Sequence, residues 1–279
     1  MSLFIASLNS GSNGNCYYVG NEHEAVLVDV GISCREVEKR MRNLYLNIHR
    51  VKAVFISHEH TDHIRGVVVL ANKYKLPVYI TAATLKNSQI FLDKDLLRTF
   101  RANEPVQIGE LAIRPFAKQH DAAEPHSFVV EGNGVCVGVI TDIGTACEQV
   151  INYFKQCHAC FLESNFDEQL LEDGGYPMHL KRRIRGGKGH LSNKQALDLF
   201  IQHRPTFMSH LFLSHLSKNN NSAELVYDLF IKHAQEITVV VASREKETEV
   251  YTIGSAIAKL AKLRADALKS ASVQMRMFE

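Results

Sequence analysis

The stretch His58-Glu59-His60-Thr61-Asp62-His63 concentrates three histidines and one aspartate, all of them metal-binding side chains, within six residues. The alternating, β-branched residues 51–57 come directly before it and predict a β-strand. Apolar residues recur at helical spacing over residues 64–74 directly after it, which predicts the buried face of a helix. The stretch therefore lies on a turn that joins a strand to a helix.

The side chains of such a turn point in different directions, so they can serve two neighbouring metal ions. His58 and His60 can reach one ion, while Asp62 and His63 reach the other. Imidazole with one carboxylate suits zinc, and also iron, cobalt or manganese when oxygen ligands are added. The alternative is a loop of surface histidines at a helix start, but several histidines on one turn repel one another when protonated. The sequence therefore predicts metal binding.

The pattern His-x-His-x-Asp-His after a strand resembles the signature of the metallo-β-lactamase superfamily. That resemblance implies three further ligands at the ends of later strands, and His120, Asp142 and His215 each follow an apolar run in the expected order. Taken singly, a histidine or aspartate after a strand is more often a hydrogen-bonded turn residue than a metal ligand. The resemblance implies two ligand sets, which are His58, His60 and His120 on one metal and Asp62, His63 and His215 on the other, with Asp142 bridging.

A full set of this kind implies two divalent metal ions per chain, zinc or manganese, with iron also possible. Two metals about 3.5–4 Å apart can share a hydroxide nucleophile and clamp the oxygens of an in-line displacement at phosphorus. Asp62 is accordingly expected to be essential for catalysis. The same ions can attack a thioester or a lactam, so the ligands indicate hydrolysis and leave the substrate to other loops.

Asp29 directly follows the apolar residues 26–28, and Gly31 lies two residues further on. This segment resembles an early strand of the superfamily, in which the aspartate supports a metal ligand from outside the ligand set. Such carboxylates fix the tautomer of a ligand histidine. An ordinary turn aspartate is the alternative, and the sequence alone leaves both readings open.

A cationic segment reads KRRIRGGKGH over residues 181–190. Five cations within eight positions, with glycines that let the backbone approach a ligand, are typical of a loop that binds phosphates. Since the net charge of the chain is only +2, a solvated surface segment is the alternative. The residues predicted to bind substrate here are Lys181, Arg182, Arg183, Arg185 and Lys188.

The loop 10–15 is a second candidate for phosphate binding, because it is rich in serine, glycine and asparagine. Ser12 and Asn15 offer polar side chains beside free backbone amides, which together can cradle a terminal phosphate. A simple glycine-rich turn explains the same residues equally well.

Gly189-His190 precedes a predicted helix start at Ser192 or Asn193. The segment is similar to one that transfer-RNA 3′-processing enzymes of the superfamily place before their last ligand. By that resemblance, His190 protonates the departing 3′ oxygen, which is an ordinary general-acid role for imidazole.

Five segments spread over nearly the whole chain resemble the YycJ/WalJ group of bacterial nucleases within the superfamily. They are residues 10–16, 163–167, 176–184, 189–193 and 215–220. The resemblance implies a cytoplasmic, metal-dependent 5′ to 3′ exonuclease that acts on DNA rather than RNA. It implies no membrane association, and it does not identify a protein partner.

The predicted elements fit an α/β fold, the metallo-β-lactamase αββα sandwich with two mixed β-sheets flanked by helices. We expect one domain over residues 1–279, because no proline-rich or glycine/serine-rich linker divides the chain. Residues 84–101 are expected to be helical, and residues 254–279 are expected to form a terminal helical tail.

Composition agrees with a soluble enzyme, since 46% of the 279 residues are hydrophobic and 22% are charged. No segment approaches the ~20 apolar residues of a membrane span, and the start has no secretory signal pattern. Six scattered cysteines do not suggest a disulfide framework, so a cytosolic protein is expected. For the Cys157-x-x-Cys160 pair, ordinary burial of small thiols is favoured over a metal or redox site.

Two other functions stay open. A small-molecule hydrolase of the same fold, acting on a cyclic phosphodiester or a thioester, needs the metal ligands but not the cationic segment. A nucleic-acid-binding protein with a structural metal needs the cationic segment but not the full ligand set. A nuclease needs both, and an RNA-processing nuclease meets the same requirements because phosphate contacts do not sense the 2′-OH.

Overall fold

The computed structural model describes residues 2–254 of the chain. The described residues form two seven-stranded mixed sheets, the first from the first six strands and the last one, and the second from the seven strands between them. The strands of the first sheet are β1 (Ser2–Asn9), β2 (Cys16–Gly20), β3 (Ala25–Val28), β4 (Val51–Phe55), β5 (Val78–Tyr79), β6 (Leu97–Arg98) and β14 (Tyr251–Gly254). Those of the second are β7 (Val106–Ile108), β8 (Leu111–Ala117), β9 (His126–Gly132), β10 (Val135–Ile140), β11 (Ala159–Glu163), β12 (His210–Ser214) and β13 (Thr238–Val241).

Helices cover the outer face of each sheet. In chain order they are α1 (Cys34–Asn43), α2 (Thr61–Ile64), α3 (Val67–Tyr74), α4 (Ala82–Asn87), α5 (Glu148–Phe154), α6 (Glu168–Asp173), α7 (Met178–Ile184), α8 (Asn193–His203) and α9 (Ala223–Ala234). Within residues 2–254, none of the helices has the length and apolar character needed to cross a membrane.

Three apolar cores explain the layering. In β3, Val26 and Val28 belong to the core between the sheets, whereas Ala25 and Leu27 belong to the core under α1 and α3. Alternate residues of a strand face opposite sides of its sheet, so β3 is buried on both faces. A third core joins the second sheet to α5, α8 and α9. The predicted αββα sandwich of two mixed sheets is confirmed.

Parallel strands place the later site residues together. Strands β3 to β6 pair in parallel in the first sheet, and β10 to β13 do so in the second. The carboxyl ends of neighbouring parallel strands lie at one edge of a sheet, where ligands commonly bind. Residues that follow β4, β10, β11, β12 and β13 are therefore brought to common edges.

Several local predictions are confirmed. The strand before the histidine stretch is β4, and α9 has the predicted bounds 223–234. Ser192 caps α8 and forms a capping box with Gln195, as its side-chain chemistry favours. Strand β9 was not predicted, because its continuous apolar part is only residues 128–130.

The helix predicted over residues 84–101 is wrong. Helix α4 ends at Asn87, and β6 follows after an irregular segment. Ile90 and Leu96 of that segment are buried in the core of the first sheet and its helices. Their apolar spacing is satisfied by tertiary packing and by the pairing of β6 with β5, which outweighed the local helical pattern.

The loop predicted over residues 181–190 is also wrong in its first part, which belongs to α7 and is helical as far as Ile184. Pro177 occupies the N-cap of this helix. Two turns are too short to give a clear helical periodicity. The cationic residues are therefore divided between the last turn of α7 and the loop that follows.

Two further predictions concern the cysteines and the end of the chain. Cys157 and Cys160 are fully buried, which confirms ordinary burial, and all six cysteines are unpaired. The predicted tail over residues 254–279 lies outside the described residues, except for Gly254, which ends β14.

Candidate metal centre

The three histidines predicted for the first metal converge. His58 and His60 follow β4, and His120 follows β8. The Nδ1 atom of His60 lies 3.1 Å from Nε2 of His58 and 3.4 Å from Nε2 of His120. A tetrahedral zinc site with metal–nitrogen bonds of about 2.0–2.1 Å has ligand–ligand separations of roughly 3.4 Å. The three nitrogens thus have the spacing of a single metal site.

The residues predicted for the second metal form a matching set. Asp62 Oδ2 lies 3.6 Å from His63 Nε2 and 3.5 Å from His215 Nε2. Both histidines are buried, and Asp62 is partly exposed. These distances are again those of donor atoms that share one ion.

Asp142 lies between the two sets. Its Oδ2 is 3.3 Å from His63 Nε2, and its Oδ1 is 3.5 Å from His215 Nε2 and 4.0 Å from His120 Nε2. One carboxylate therefore faces histidines of both sets, the position required of a bridging ligand.

Unsatisfied atoms test whether these residues fit a metal. Asp142 Oδ2 and His215 Nε2 are buried and have no hydrogen-bond partner among the described residues. Buried polar atoms without a protein partner are costly, and the binding of an ion is a common reason for them. With three or more imidazoles and carboxylates around each position, the centre fits divalent metal ions.

The charges of the centre favour ligation. Burial lowers the pKa of His58 well below its ordinary value and lowers the pKa of His120 to about 4, so both rings are neutral and offer lone pairs. At His215, burial also favours the neutral ring, but nearby carboxylates led by Asp142 outweigh it and raise the pKa to about 10. A divalent cation would displace that proton, because ligation and protonation compete for the same nitrogen.

Asp29 contacts His63, one of the predicted ligands, as the first of its two interpretations requires. Its Oδ2 lies 2.7 Å from His63 Nδ1 and accepts a hydrogen bond from the Ser57 hydroxyl at 2.7 Å, while its Oδ1 accepts from the Ser57 backbone N–H at 2.8 Å. With Nδ1 of His63 on this carboxylate, Nε2 is directed to the metal position.

His120 is oriented in the same way by a backbone carbonyl. Its Nδ1 donates to the Gly189 oxygen at 3.0 Å, which leaves Nε2 as the free lone pair. The loop after α7 is therefore part of the scaffold of the first ligand set, besides carrying His190.

Backbone conformation is unusual at three of these positions. Asp29, Asp142 and His215 follow β3, β10 and β12 and have φ values of 60°, 54° and 57°. Non-glycine residues rarely adopt this left-handed conformation, and its cost must be met by surrounding contacts. The strain turns each side chain from the end of its strand toward the centre.

Glu163, at the end of β11, is a site residue that sequence reasoning did not single out. It is fully buried, and its Oε1 lies 2.7 Å from His190 Nδ1 and 3.1 Å from His215 Nδ1. Its Oε2 accepts the backbone N–H of Ile143 at 2.7 Å, just after Asp142. A carboxylate that ends a buried apolar strand was the available signal, as it was for Asp142.

His190 lies beside the ligands without belonging to either set. Its ring centre is 5.3 Å from those of His120 and His215, and its side chain is about one-fifth exposed, at 22%. Because Nδ1 is held by Glu163, Nε2 is the atom left to exchange a proton.

The two residues predicted to bind substrate in the loop 10–15 differ in burial. Asn15 is buried, its Nδ2 lies 3.2 Å from Asp62 Oδ2, and its backbone N–H donates to the Asp62 carbonyl oxygen at 2.7 Å. A β-carbon on Gly31 would lie only 1.7 Å from that same oxygen, so the close approach requires glycine. Asn15 thus touches a ligand, whereas Ser12 is exposed at the tip of the loop.

Three of the five predicted cationic residues have partners within the protein. Lys181 is buried and donates to the backbone oxygen of Glu172. Arg185 pairs with the Glu172 carboxylate at 2.9 Å, and Arg183 pairs with Asp121 at 2.5 Å. Lys181 is thus committed to holding α7 against α6, whereas the two arginines are paired with carboxylates but remain exposed.

Arg182 and Lys188 are exposed, and neither forms an ion pair within the described part of the chain. The loop between them is anchored by Thr145, whose hydroxyl donates to the Gly187 oxygen at 3.0 Å. These two cations are the freest charges of the predicted segment.

Comparisons with known proteins agree with this geometry. A model described as a β-lactamase superfamily domain matches residues 24–215. The chain is 35% identical over 228 residues to the exodeoxyribonuclease YycJ of Bacillus anthracis, covering 81% of this chain and 86% of that protein. It is 30% identical over 225 residues to the exodeoxyribonuclease WalJ of Streptococcus pneumoniae, covering 79% and 84%. The metallo-β-lactamase fold protein YhfI of Bacillus subtilis superimposes with a TM-score of 0.70 at 16% identity, covering 90% of this chain and all of that one.

Proposed function

The chain belongs to the metallo-β-lactamase superfamily, and on this premise we propose that it is a metal-dependent exodeoxyribonuclease that digests DNA from the 5′ end. The observation that carries the proposal is the convergence of two ligand sets on the shared carboxylate of Asp142. Relatives that match most of the chain are named exodeoxyribonucleases, which supports DNA as the substrate.

We assign the ligands as the sequence predicted them. His58, His60 and His120 would hold the first metal, Asp62, His63 and His215 would hold the second, and Asp142 would serve both. Zinc or manganese suits this mixture of imidazole and carboxylate, and iron is compatible with it. Two such ions supply Lewis-acid charge for the phosphate oxygens and lower the pKa of water toward neutrality.

In the proposed reaction a water molecule first loses a proton to the solvent, the resulting hydroxide oxygen joins phosphorus, and the bond between phosphorus and the 3′ oxygen breaks. His190 gives the proton at its Nε2 to the departing 3′ oxygen. Glu163 holds the ring through Nδ1 at 2.7 Å and stabilises the charged ring from which the proton leaves. The released nucleotide carries a 3′-hydroxyl, and the shortened strand begins with a new 5′-phosphate.

The whole chain is proposed to act as one domain, because both sheets contribute ligands to a single centre. We place its activity in the cytoplasm, which its unpaired cysteines support. Ser12 and the exposed cations beside α7 are proposed to contact the strand, while Asn15 acts through Asp62.

The experiment that tests this function is digestion of end-labelled DNA and RNA of one sequence, single- and double-stranded, after reconstitution with zinc or manganese. Stepwise loss of nucleotides from the 5′ end of DNA is the expected result. Preferential digestion of RNA would make the protein an RNA-processing nuclease. Hydrolysis of a cyclic phosphodiester or a thioester, without cleavage of any polymer, would make it a small-molecule hydrolase.

Neutralising free cations distinguishes polymer from small substrates. In the double variant Arg182→Gln/Lys188→Gln, we expect weaker DNA binding. The slope of log K against log salt concentration should become less steep by about 0.7 for each lost contact to a single strand. The rate on bis(p-nitrophenyl) phosphate should hardly change, since that substrate does not reach α7. The measurement is the DNA dissociation constant at several salt concentrations.

The matched control is Lys39→Gln/Arg42→Gln, which removes two exposed charges from α1 on the outer face of the first sheet. Its salt dependence should equal that of the wild type. A normal salt dependence in the Arg182/Lys188 variant would show that the cationic segment is ordinary surface.

A further inference from the structure

A pocket of about 330 Å³ lies directly beside the second ligand set. Ser10 lines it, and the Ser10 hydroxyl accepts the backbone N–H of His215 at 2.8 Å. Leu216 and Ser217, which follow that ligand, line it too. The pocket therefore shares its wall with the proposed metal centre.

The topology explains why the pocket lies there. The parallel strands β10, β11 and β12 deliver Asp142, Glu163 and His215 to one edge of the second sheet. Strand β13 is the next strand at that edge, and the pocket-lining residues Ser243 and Arg244 follow it. The pocket continues the row of site residues by one strand.

The lining favours an anion. Lys218 and Arg244 bring two cations, neither of which has a carboxylate within 4.0 Å among residues 2–254, and Glu245 brings the only acid among the lining residues. The 12-residue helix α9 begins at the pocket, with Ser222 as its N-cap and Ala223 in the wall. The partial positive charge of a helix N-terminus adds to that of the side chains.

The proposed reaction supplies an anion of the required kind. Each cut leaves a 5′-phosphate on the remaining strand, and that group must lie one nucleotide away from the scissile phosphate in the next cycle. A terminal phosphate carries more negative charge than a backbone phosphodiester, so two free cations favour it. The terminal phosphate should therefore lie in a pocket next to the metal centre and not on a distant part of the surface.

We propose that the pocket formed by Ser10, Ser217, Lys218 and Arg244 binds the 5′-terminal phosphate of the DNA strand and so makes the enzyme act from that end. This inference rests on the proposed function. It assigns recognition of the strand end to the edge of β13 and the start of α9, and leaves the cations beside α7 to contact the rest of the strand.

The test compares Lys218→Gln with the wild type on single-stranded DNA of one sequence bearing either a 5′-phosphate or a 5′-hydroxyl. Lys218 is exposed, so the variant should fold normally. The wild type is expected to prefer the 5′-phosphate, and Lys218→Gln should lower kcat/KM on that substrate by about tenfold, the value of one hydrogen bond to a charged group. The loss on the 5′-hydroxyl strand should be much smaller.

Arg244→Gln provides a second variant, and its preference for the 5′-phosphate should also fall. Arg244 donates to the Leu216 oxygen at 2.6 Å, so the substitution can also affect stability. The melting temperature of the variant is therefore measured as well. The matched control is Lys232→Gln, at the opposite end of α9, which should keep the wild-type preference.

The outcomes separate the two proposals. If the wild type digests DNA but Lys218→Gln keeps the full preference for a 5′-phosphate, the pocket assignment is overturned and the nuclease stands. Equal losses on both substrates would also overturn it, since Lys218 would then meet the strand away from its end. If the wild type cuts no DNA, the proposed function itself fails.

Discussion

Replacing Asp62 by alanine is expected to abolish turnover. Asp62 is the carboxylate of the second ligand set, 3.6 Å and 3.5 Å from the Nε2 atoms of His63 and His215. Removing a residue that only supports a metal ligand typically costs 10–100-fold in affinity or activity, so removing a ligand should cost more than about 100-fold. The rate on DNA and the metal content of the purified variant are the measurements, and we expect the loss of one metal ion per chain.

The Asp62→Ala variant should fold normally, because residue 62 is held in place by a hydrogen bond to its backbone. The hydrogen bond from Asn15 N–H to the residue 62 carbonyl oxygen does not depend on the side chain. Asp198→Ala, on the exposed face of α8, is the matched control and should keep the wild-type rate and two ions. Activity above a few per cent of the wild type in Asp62→Ala would contradict the assigned mechanism.

The second large effect is expected from His190→Ala, which should lower kcat on DNA by roughly 10²–10⁴-fold, the usual contribution of general acid–base catalysis. The metal content should stay at the wild-type value, because His190 belongs to neither ligand set. Bis(p-nitrophenyl) phosphate should be hydrolysed at a rate much closer to that of the wild type, since p-nitrophenolate leaves without needing a proton. Comparing the two substrates isolates the proton transfer.

Glu163→Gln should show the same selectivity with a smaller loss, about 10–100-fold, because the glutamate acts through the histidine ring. His233→Ala, at the exposed end of α9, is the control and should change neither rate. If His190→Ala loses the same factor on both substrates, His190 does not protonate the leaving group.

Local sequence was sufficient for most of the fold. The stretch at 58–63 indicated metal binding on a turn between a strand and a helix, alternation located β4, and continuous apolar runs located β10 and β12. These signals are short-range, because a strand buried on both faces and a capped amphipathic helix both leave their pattern in consecutive residues. The segment 84–101 failed because its apolar residues satisfy long-range packing rather than a local period.

The site residues show the same contrast between local sequence signals and long-range packing. His120, Asp142 and His215 were predicted through a family resemblance, since a single polar residue after a strand carries little information by itself. Glu163 and the Lys218/Arg244 pocket were not predicted at all, because their meaning depends on which strands lie side by side.

The superfamily, the αββα architecture and the type of ligand chemistry could all be predicted from the amino-acid sequence, because metal-binding residues and buried strands are recognisable from their own neighbours. Which residues act together became visible in the folded protein. The fold brought Glu163 against His190, committed Lys181 to Glu172, and placed Lys218 and Arg244, which follow β12 and β13, in the pocket next to His215. The physical reason is that parallel strand order and left-handed backbone turns at Asp29, Asp142 and His215 are set by packing between distant segments, which no local pattern encodes.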